Sequence, residues 1–115
     1  MFLEVLFLML LEKYLPRTEF SSYEDFVKNF KINVPENFNF GYDVVDEIAA
    51  KNPNKTALVW CDEKGNEATF TFREIRDYSN RAANFFKSCG IKKGDAVMLI
   101  LKRSYEFWPC ILRLH

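Results

Sequence analysis

The hydrophobic pattern is most regular between Phe70 and Leu101. Thr71, followed three residues later by Glu74, has the pattern of a helix capping box, and Gly90 is typical of a left-handed helix end. Residues 96–101 form a short apolar run, as expected of a strand buried on both faces. Between these signals, apolar residues recur at helical spacing and predict one helix face: Ile75, Tyr78, Ala82, Phe85, Phe86 and Cys89. The pattern predicts part of a βαβ unit in a mixed or parallel α/β sheet.

Two helices are predicted near the start of the chain. Residues 1–15 form an apolar helical pattern that ends at Pro16. Ser21 and Glu24 have the spacing of another capping box, and the helix that follows is expected to end near Lys31.

A loop and a third helix are predicted next. Residues 32–41 contain Pro, Asn and Gly and show no hydrophobic periodicity. We therefore expect an extended loop with Phe38 and Phe40 anchored in a core. Asp43 is predicted to cap a helix over residues 44–51.

A hairpin and a final helix complete the predicted elements. Residues 56–61 and 67–71 are short alternating runs around a Gly-containing loop, which is typical of an antiparallel hairpin. A last helix is expected from Ser104, with Pro109 either in its first turn or at a bend. The predicted fold class is therefore α/β, with N-terminal helices, a β-hairpin and the first βα elements of a mixed or parallel sheet.

Composition narrows the class of protein. The chain has 115 residues, 49% of them hydrophobic, which suits one small folded domain and argues against disorder. Sixteen basic and sixteen acidic residues balance, so we expect no nucleic-acid partner. The three cysteines lack CxxC spacing and His115 is the only histidine, which disfavours zinc and a disulfide framework. Three reduced thiols favour a cytoplasmic protein.

The apolar segment Met1–Leu11 resembles a signal peptide or membrane span only superficially. Glu4 interrupts it, no basic residue precedes it, and no small-residue cleavage site follows. A bilayer span needs ~20 apolar residues. We therefore expect a helix that packs in a core or on a partner. A membrane-surface helix is the alternative, although the basic face typical of such helices is missing. Met9 is a second start codon position, so residues 1–8 are interpreted as a start-site extension.

Two polar groups are candidate ligand sites near the central helix. The loop Lys92, Lys93, Gly94 and Asp95 has basic and glycine residues that could cradle a phosphate, but no GxxxxGK[ST] pattern accompanies it, and a solvated turn is favoured. Four polar residues are placed on the outer side of the helix: Ser79, Asn80, Arg81 and Asn84. A nucleophile would need a neighbouring base, so a hydrogen-bonded surface is the preferred interpretation.

Three further groups each have a functional and a structural interpretation. Asp43, Asp46 and Glu47 contain carboxylates suited to a metal, yet helix N-terminal charge explains them more simply. Lys102 and Arg103 follow the predicted buried strand at its carboxyl end, where α/β folds bind ligands, but a solvated strand exit is the preferred interpretation. The aromatic residues of the segment 105–108 are predicted core residues.

Three sequence stretches carry a family resemblance. They are Thr71-Phe72-Arg73-Glu74-Ile75, Ser79-Asn80-Arg81-Ala82-Ala83-Asn84 and Gly90-Ile91-Lys92-Lys93-Gly94-Asp95-Ala96-Val97. Together they resemble the amino-terminal part of AMP-forming acyl-CoA synthetases, and most of all the acetyl- and medium-chain branch of these adenylate-forming enzymes. The resemblance implies an N-terminal helical extension over residues 1–35 and, over residues 36–115, an incomplete start of the AMP-binding N-terminal domain.

The resemblance also implies a reaction. Such enzymes use ATP and magnesium to convert a carboxylic acid to an acyl-adenylate, then transfer the acyl group to coenzyme A. Their Ser/Thr-Gly-rich phosphate loop and catalytic lysine have no counterpart in these 115 residues. The resemblance therefore assigns no catalytic, cofactor-binding or metal residue here, and the chain alone is predicted to be an inactive N-terminal fragment of an acid–thiol ligase of fatty acid metabolism.

Two interpretations of the isolated chain remain beside this one. It is either an assembly subunit that completes a partner synthetase chain, with a homo-oligomer as a variant, or a membrane-surface binder through residues 1–11. Arg113 departs from the family, which usually has a small residue there, and its long charged side chain is expected to disturb helix packing.

Overall fold

The computed structural model describes residues 12–114, which divide into two compact units at Phe38 and Asn39. In the first unit, residues 12–14 are helical, and residues 1–11 of the predicted first helix lie outside the described residues. Helix α1 spans Tyr23–Asn29.

The start of α1 differs from the predicted capping box. Ser22, not Ser21, is the cap, and its Oγ accepts a hydrogen bond from Asp25 N at 3.1 Å. The Asp25 carboxylate in turn accepts from Ser21 N at 2.9 Å and forms an ion pair with Arg17. Because Asp25 can satisfy a donor in front of the helix, Glu24 is left out of the cap. The backbone donor of Ser21, followed by Arg17, depresses the pKa of Asp25.

Aromatic side chains organise the rest of the first unit. Phe20, Phe26 and Phe30 pack together, with 5.2 Å between the ring centroids of Phe20 and Phe26 and 4.8 Å between those of Phe26 and Phe30. Phe38 meets Tyr14 edge to face at 5.2 Å, which agrees with its expected anchoring. Its predicted companion Phe40, in the second unit, is instead exposed.

Helix α2 opens the second unit and begins before its predicted start. Its π-helical part, Gly41–Asp46, continues into an α-helical part, Glu47–Lys51. Asp43 lies inside the helix, so its predicted role as N-cap is wrong. Asn39 supplies the hydrogen bonds at the start of the helix instead. Its Oδ1 accepts from Tyr42 N at 3.1 Å, and its own N–H donates to Asp43 Oδ2 at 2.8 Å.

The predicted hairpin is confirmed. Strands β1 (Thr56–Cys61) and β2 (Glu67–Thr71) pair antiparallel, with an irregularity between Thr56 and Leu58. Asp62 closes the loop, because its carboxylate accepts from Lys64 N, Asn66 N and Asn66 Nδ2 at 2.9, 2.8 and 2.7 Å. The Asn66 donors, first of all its side chain, lower the pKa of Asp62.

Helix α3, Phe72–Ser88, has both of its predicted ends. Thr71 Oγ1 accepts from Glu74 N at 3.3 Å, and Glu74 Oε2 accepts from Thr71 N at 2.7 Å. At the other end, Gly90 has a φ of 81°, and Ile91 N donates to Phe86 O at 3.2 Å. This arrangement is a Schellman motif, in which glycine takes the left-handed position without a Cβ penalty.

The core of the second unit lies between α2, β2 and α3. Val45, Phe70 and Ile75 are buried against one another. Partly buried hydrophobic residues surround them: Ala57, Leu58, Ala68, Phe72, Tyr78, Tyr105 and Leu112. Of the predicted α3 face, Ile75 and Phe86 are buried, whereas Phe85 and Cys89 are exposed.

The predicted buried strand at residues 96–101 is not formed among the described residues. This segment has no regular secondary structure, and Met98 and Ile100 are 82% and 86% exposed. The side chains of Val97 and Leu99, which alternate with these two, are half-buried. No described backbone group pairs with the segment, and a strand needs a neighbour to bond with. The segment is apolar, as predicted, but no element within the described residues covers both of its faces.

Helix α4, Phe107–Arg113, begins three residues after the predicted start. Pro109 lies in its first turn, which agrees with one of the two predicted placements. A Cβ added to Gly41 would lie 2.8 Å from Leu112 O, so α2 and α4 approach closely there. None of the helices within residues 12–114 is long and apolar enough to cross a membrane. Helices combined with a two-stranded sheet confirm the α/β class.

Candidate functional site

The basic loop after α3 forms a self-contained turn. Asp95 Oδ2 accepts a hydrogen bond from Lys92 N at 2.8 Å, and Asp95 N donates to Lys92 O at 3.1 Å. Gly94 has a φ of 96°, and all four residues of the loop are exposed. A phosphate cradle needs free backbone N–H groups, whereas the carboxylate of Asp95 already occupies one of them. The geometry favours the solvated turn.

The outer face of α3 differs from its prediction at one residue. Asn80, Arg81 and Asn84 are exposed, as predicted, but Ser79 is 1% exposed and is the most deeply buried polar residue described. Its Oγ donates to Arg76 O at 2.8 Å. Ser79 lies four residues after Ile75, so helical spacing already placed it on the buried face, and only its polar character suggested otherwise.

The three acidic residues of α2 point to separate partners rather than to one metal. Asp43 accepts from the backbone of Asn39, Glu47 pairs with Lys51 at 2.7 Å, and Asp46 pairs with Arg113. In the described part of the chain, no group of three or more His, Cys, Asp or Glu side chains is arranged to hold a metal ion. These carboxylates therefore do not fit the magnesium that the resemblance implies.

Lys102 and Arg103 lie at the surface beside the hairpin. Arg103 Nη1 contacts Glu63 Oε1 at 2.9 Å, and both side chains are exposed. The Trp60 indole N–H donates to Arg103 O at 2.8 Å. Since residues 96–101 form no strand in this structure, the two basic residues do not stand at the carboxyl edge of a sheet, and that reason for a ligand site is absent.

The segment 105–108 is only partly a core segment. Tyr105 packs on Phe70 with 4.7 Å between ring centroids, and Phe107 is half-buried, but Trp108 is exposed. The Glu106 carboxylate, together with burial, raises the pKa of Tyr105. Burial also raises the pKa of Cys110, which disfavours the thiolate form.

Arg113 is the polar residue whose position the sequence least suggested. Its side chain is 2% exposed, and its Nη2 contacts Asp46 Oδ1 and Oδ2 at 2.9 and 2.8 Å. Its Nε donates to Ser79 Oγ at 3.1 Å, and its guanidinium lies 4.2 Å from the ring centroid of Tyr42. The expected disturbance of packing is wrong, because the neighbouring helices supply a carboxylate, a hydroxyl and an aromatic face.

Comparisons with known proteins agree on one family. A family model described as "AMP-binding enzyme" matches residues 45–112. The chain is 39% identical over 95 residues to human "Acyl-coenzyme A synthetase ACSM3, mitochondrial". It is also 41% identical over 81 residues to human ACSM4, and 40% identical over 85 residues to rat ACSM5, both of the same description.

These matches cover most of this chain but little of the relatives. The shared stretch is 77% of this chain and 16% of human ACSM3, 65% and 14% for human ACSM4, and 69% and 15% for rat ACSM5. The chain therefore spans about one sixth of the length of these relatives. The family model, which does not depend on any single relative, also matches more than half of this chain.

The comparisons also correct one prediction. The relatives carry the word "mitochondrial" in their names, so the prediction of a cytoplasmic protein is wrong. It rested on three unpaired thiols, which indicate a reducing environment without distinguishing one such compartment from another. The family model and the acyl-coenzyme A synthetase relatives together confirm the resemblance: the chain belongs to the AMP-binding enzyme family of adenylate-forming acyl-CoA synthetases.

Proposed function

We propose that this chain supplies the opening part of the large domain of an acyl-CoA synthetase. The parent reaction is the ATP-dependent activation of a carboxylic acid to an acyl-adenylate, followed by thioester formation with coenzyme A, in fatty acid metabolism. The family match over residues 45–112 carries this proposal. In it, the described residues act as scaffold, with residues 1–35 as a helical extension and residues 36–115 as the start of the AMP-binding domain.

The isolated 115-residue chain has no adenylation activity in this proposal. Phosphoryl transfer depends on preorganised donors and cations around the phosphates. The sequence contains four glycines, spread over positions 41, 65, 90 and 94, and no Ser/Thr-Gly-rich loop. The purified chain should release no pyrophosphate when ATP, magnesium and a medium-chain acid are supplied. Acid-dependent release by the chain alone would contradict this.

A chimera tests the scaffold role directly. Residues 45–112 replace the matching stretch of human ACSM3, and acid-dependent pyrophosphate release is compared with that of unmodified ACSM3. We expect kcat/KM of the chimera to stay within about tenfold of that of unmodified ACSM3. A tenfold change corresponds to ~1.4 kcal/mol of transition-state stabilisation. The control chimera carries Ile75→Lys, which places a charge in the core and should abolish folding and activity. A folded but inactive first chimera would refute the proposal.

A second candidate function is that of an assembly subunit. The segment 96–101 favours it. Met98 and Ile100 are exposed there, and no described backbone group forms a hydrogen bond with the main chain of this segment. An exposed apolar segment with unpaired backbone groups is suited to strand addition by a partner. The partner would be a complementing synthetase chain; self-association to a homo-oligomer is the alternative outcome.

Mixing experiments distinguish these outcomes. The chain is mixed with human ACSM3 that lacks its own matching stretch, and complex formation is measured by analytical ultracentrifugation. We expect a one-to-one complex that Met98→Lys weakens by roughly tenfold or more, because a charge would be placed against apolar surface. A chain that self-associates without binding the shortened synthetase would support the homo-oligomer, and a monomer in every mixture would reject both.

The proposed compartment is the mitochondrion. Support comes from the names of the relatives, each of which contains that word. The full chain with a C-terminal fluorescent tag should co-purify with mitochondria and resist protease until the membranes are opened. A protease-sensitive tag in intact mitochondria, or a diffuse signal in the cytosol, would reject this placement.

A further inference from the structure

The segment 96–101 has one covered face and one open face. Burial alternates along it, since Val97 and Leu99 are half-buried whereas Met98 and Ile100 are exposed. An alternation of period two is typical of an extended chain, whose successive side chains point to opposite sides. At about 3.3 Å per residue, six such residues extend over about 20 Å. The segment therefore resembles a strand without a neighbour, and its open face is apolar.

The main chain of this segment has no hydrogen-bond partner within residues 12–114. On either side, the nearest bonded backbone groups are Asp95 N and Lys102 O. An occupant that covers the open face also removes water from the backbone groups, so it must form hydrogen bonds with them itself. A lipid surface does not meet this requirement, because hydrocarbon offers no hydrogen-bond partners. The occupant indicated is another strand.

Basic residues flank the segment at both ends. Lys92 and Lys93 precede it, Lys102 and Arg103 follow it, and all four are exposed. Arg103 forms an ion pair with Glu63 at 2.9 Å. No carboxylate within residues 12–114 forms an ion pair with any of the three lysines. Their charges are therefore available to a partner.

The charge at these two ends excludes a second copy of this chain as the preferred occupant. Residues 92–103 hold four basic residues and one acidic residue, Asp95, whose carboxylate accepts a hydrogen bond from Lys92 N at 2.8 Å. Two copies paired through residues 96–101 would place basic residues against basic residues at both ends, in either strand direction. Like charges opposite one another destabilise strand pairing. The complementary strand is acidic where this one is basic.

We propose that residues 96–101 accept an apolar strand of a partner chain that carries acidic residues at both of its ends. The inference rests on the assembly role proposed above and specifies the chemistry of the partner strand. Backbone hydrogen bonds hold that strand, and its apolar side chains cover Met98 and Ile100. Its acidic ends, about 20 Å apart, lie against the two basic pairs.

Two synthetic peptides test the charge requirement on the full chain. Each has six alternating valine and threonine residues, flanked at both ends by two glutamates in one peptide and by two lysines in the other. Binding of the fluorescently labelled peptides is measured by anisotropy at low ionic strength. We expect the glutamate peptide to bind roughly tenfold more tightly than the lysine peptide, with a ratio that falls as salt screens the charges. Equal binding of the two would overturn the proposal.

Charge reversal on the chain is the reciprocal experiment. Lys93→Glu together with Lys102→Glu should reverse the preference, so that the lysine peptide binds more tightly. Lys28→Glu with Lys31→Glu is the matched control, because it changes the net charge equally at exposed residues of the first unit. This control should keep the preference for glutamate. If circular dichroism shows that the reversed variant does not fold, Lys93→Gln with Lys102→Gln decides instead, and should reduce the ratio to within about threefold.

A proline peptide tests the backbone pairing. Proline in place of one central valine of the glutamate peptide removes an N–H from the ladder, and should weaken binding by roughly tenfold. Unchanged binding of this peptide would show that charge alone attracts it, and the strand would be rejected. Flotation of the chain with vesicles of phosphatidylglycerol and phosphatidylcholine, without binding of either peptide, would assign the face to a lipid surface and would also overturn the proposal.

The mixing experiment with shortened ACSM3 separates this inference from the assembly role. A complex with that protein, in a chain that does not discriminate between the two peptides, would leave the assembly role intact and reject the acidic ends. A chain that prefers the glutamate peptide but forms no complex would support the strand site and reject that synthetase as its partner.

Discussion

The clearest test of the core is the removal of side-chain carbons from Ile75. This residue is 5% exposed and packs with Val45 and Phe70 between α2, β2 and α3. Ile75→Ala removes three carbon groups, at ~0.8 kcal/mol each by transfer, which gives roughly 2.4 kcal/mol. Incomplete collapse of the cavity adds to this, so we expect a loss of about 3 kcal/mol in the free energy of unfolding. Ile75→Val should cost about 1 kcal/mol.

Ile100→Ala is the matched control, since it makes the same chemical change at a residue that is 86% exposed. Its effect should stay within about 0.5 kcal/mol. Urea unfolding of the full chain, followed by circular dichroism and by tryptophan fluorescence, measures all three variants. Equal losses for Ile75→Ala and Ile100→Ala would show that Ile75 is not in a packed core, and the reasoning would fail.

Three further predictions concern helix ends and pH. Thr71→Ala removes the hydroxyl that accepts from Glu74 N, and should lower the free energy of unfolding by about 1 kcal/mol; an unchanged urea midpoint would contradict the cap. Gly90→Ala should cost about 1–2 kcal/mol through its φ of 81° alone, because nothing lies within 4 Å of the added Cβ; Gly90→Asn, which tolerates this conformation, should cost less. The pKa values of Asp25, Asp62 and Glu74 are all lowered on folding, Glu74 mainly by the backbone N–H of Thr71. The stability that they contribute is complete above the unfolded values, near 3.8 for Asp and 4.5 for Glu, and is lost as pH falls through the lower folded values. Acid titration followed by circular dichroism should show this loss below about pH 4, and a chain more stable at pH 3 than at pH 6 would refute it.

Local signals predicted local structure well. Both ends of α3 follow from Thr71, Glu74 and Gly90, because a cap is made by residues within a few positions of the helix end. The hairpin was predicted with its observed bounds for the same reason. At α1 and α2 the caps were misplaced by a few residues, since Asp25 and Asn39 offered competing hydrogen bonds nearby.

Non-local features were predicted poorly. The strand at 96–101 requires a neighbouring strand, and composition does not say whether one is present. The burial of Arg113 requires Asp46 and Ser79, which lie 67 and 34 residues away in the chain. No local pattern brings these three residues together. From their spacing, the candidate ligand residues were interpreted as surface or helix-end groups. In the structure most of them are exposed or are bonded to nearby groups, as Asp43 and Asp95 are.

The close approach of Gly41 to Leu112 O has a consequence for mutational tolerance. At Gly65 and Gly94 the added Cβ meets open space, and the constraint is the backbone conformation alone. At Gly41 the constraint is the reverse, since its helical backbone suits any residue but its Cβ would lie 2.8 Å from a carbonyl oxygen. In a scan of all substitutions, asparagine should be accepted at Gly65 and Gly94, as at Gly90, and side chains should be rejected at position 41. That profile would report how closely the α2 and α4 backbones pack inside cells.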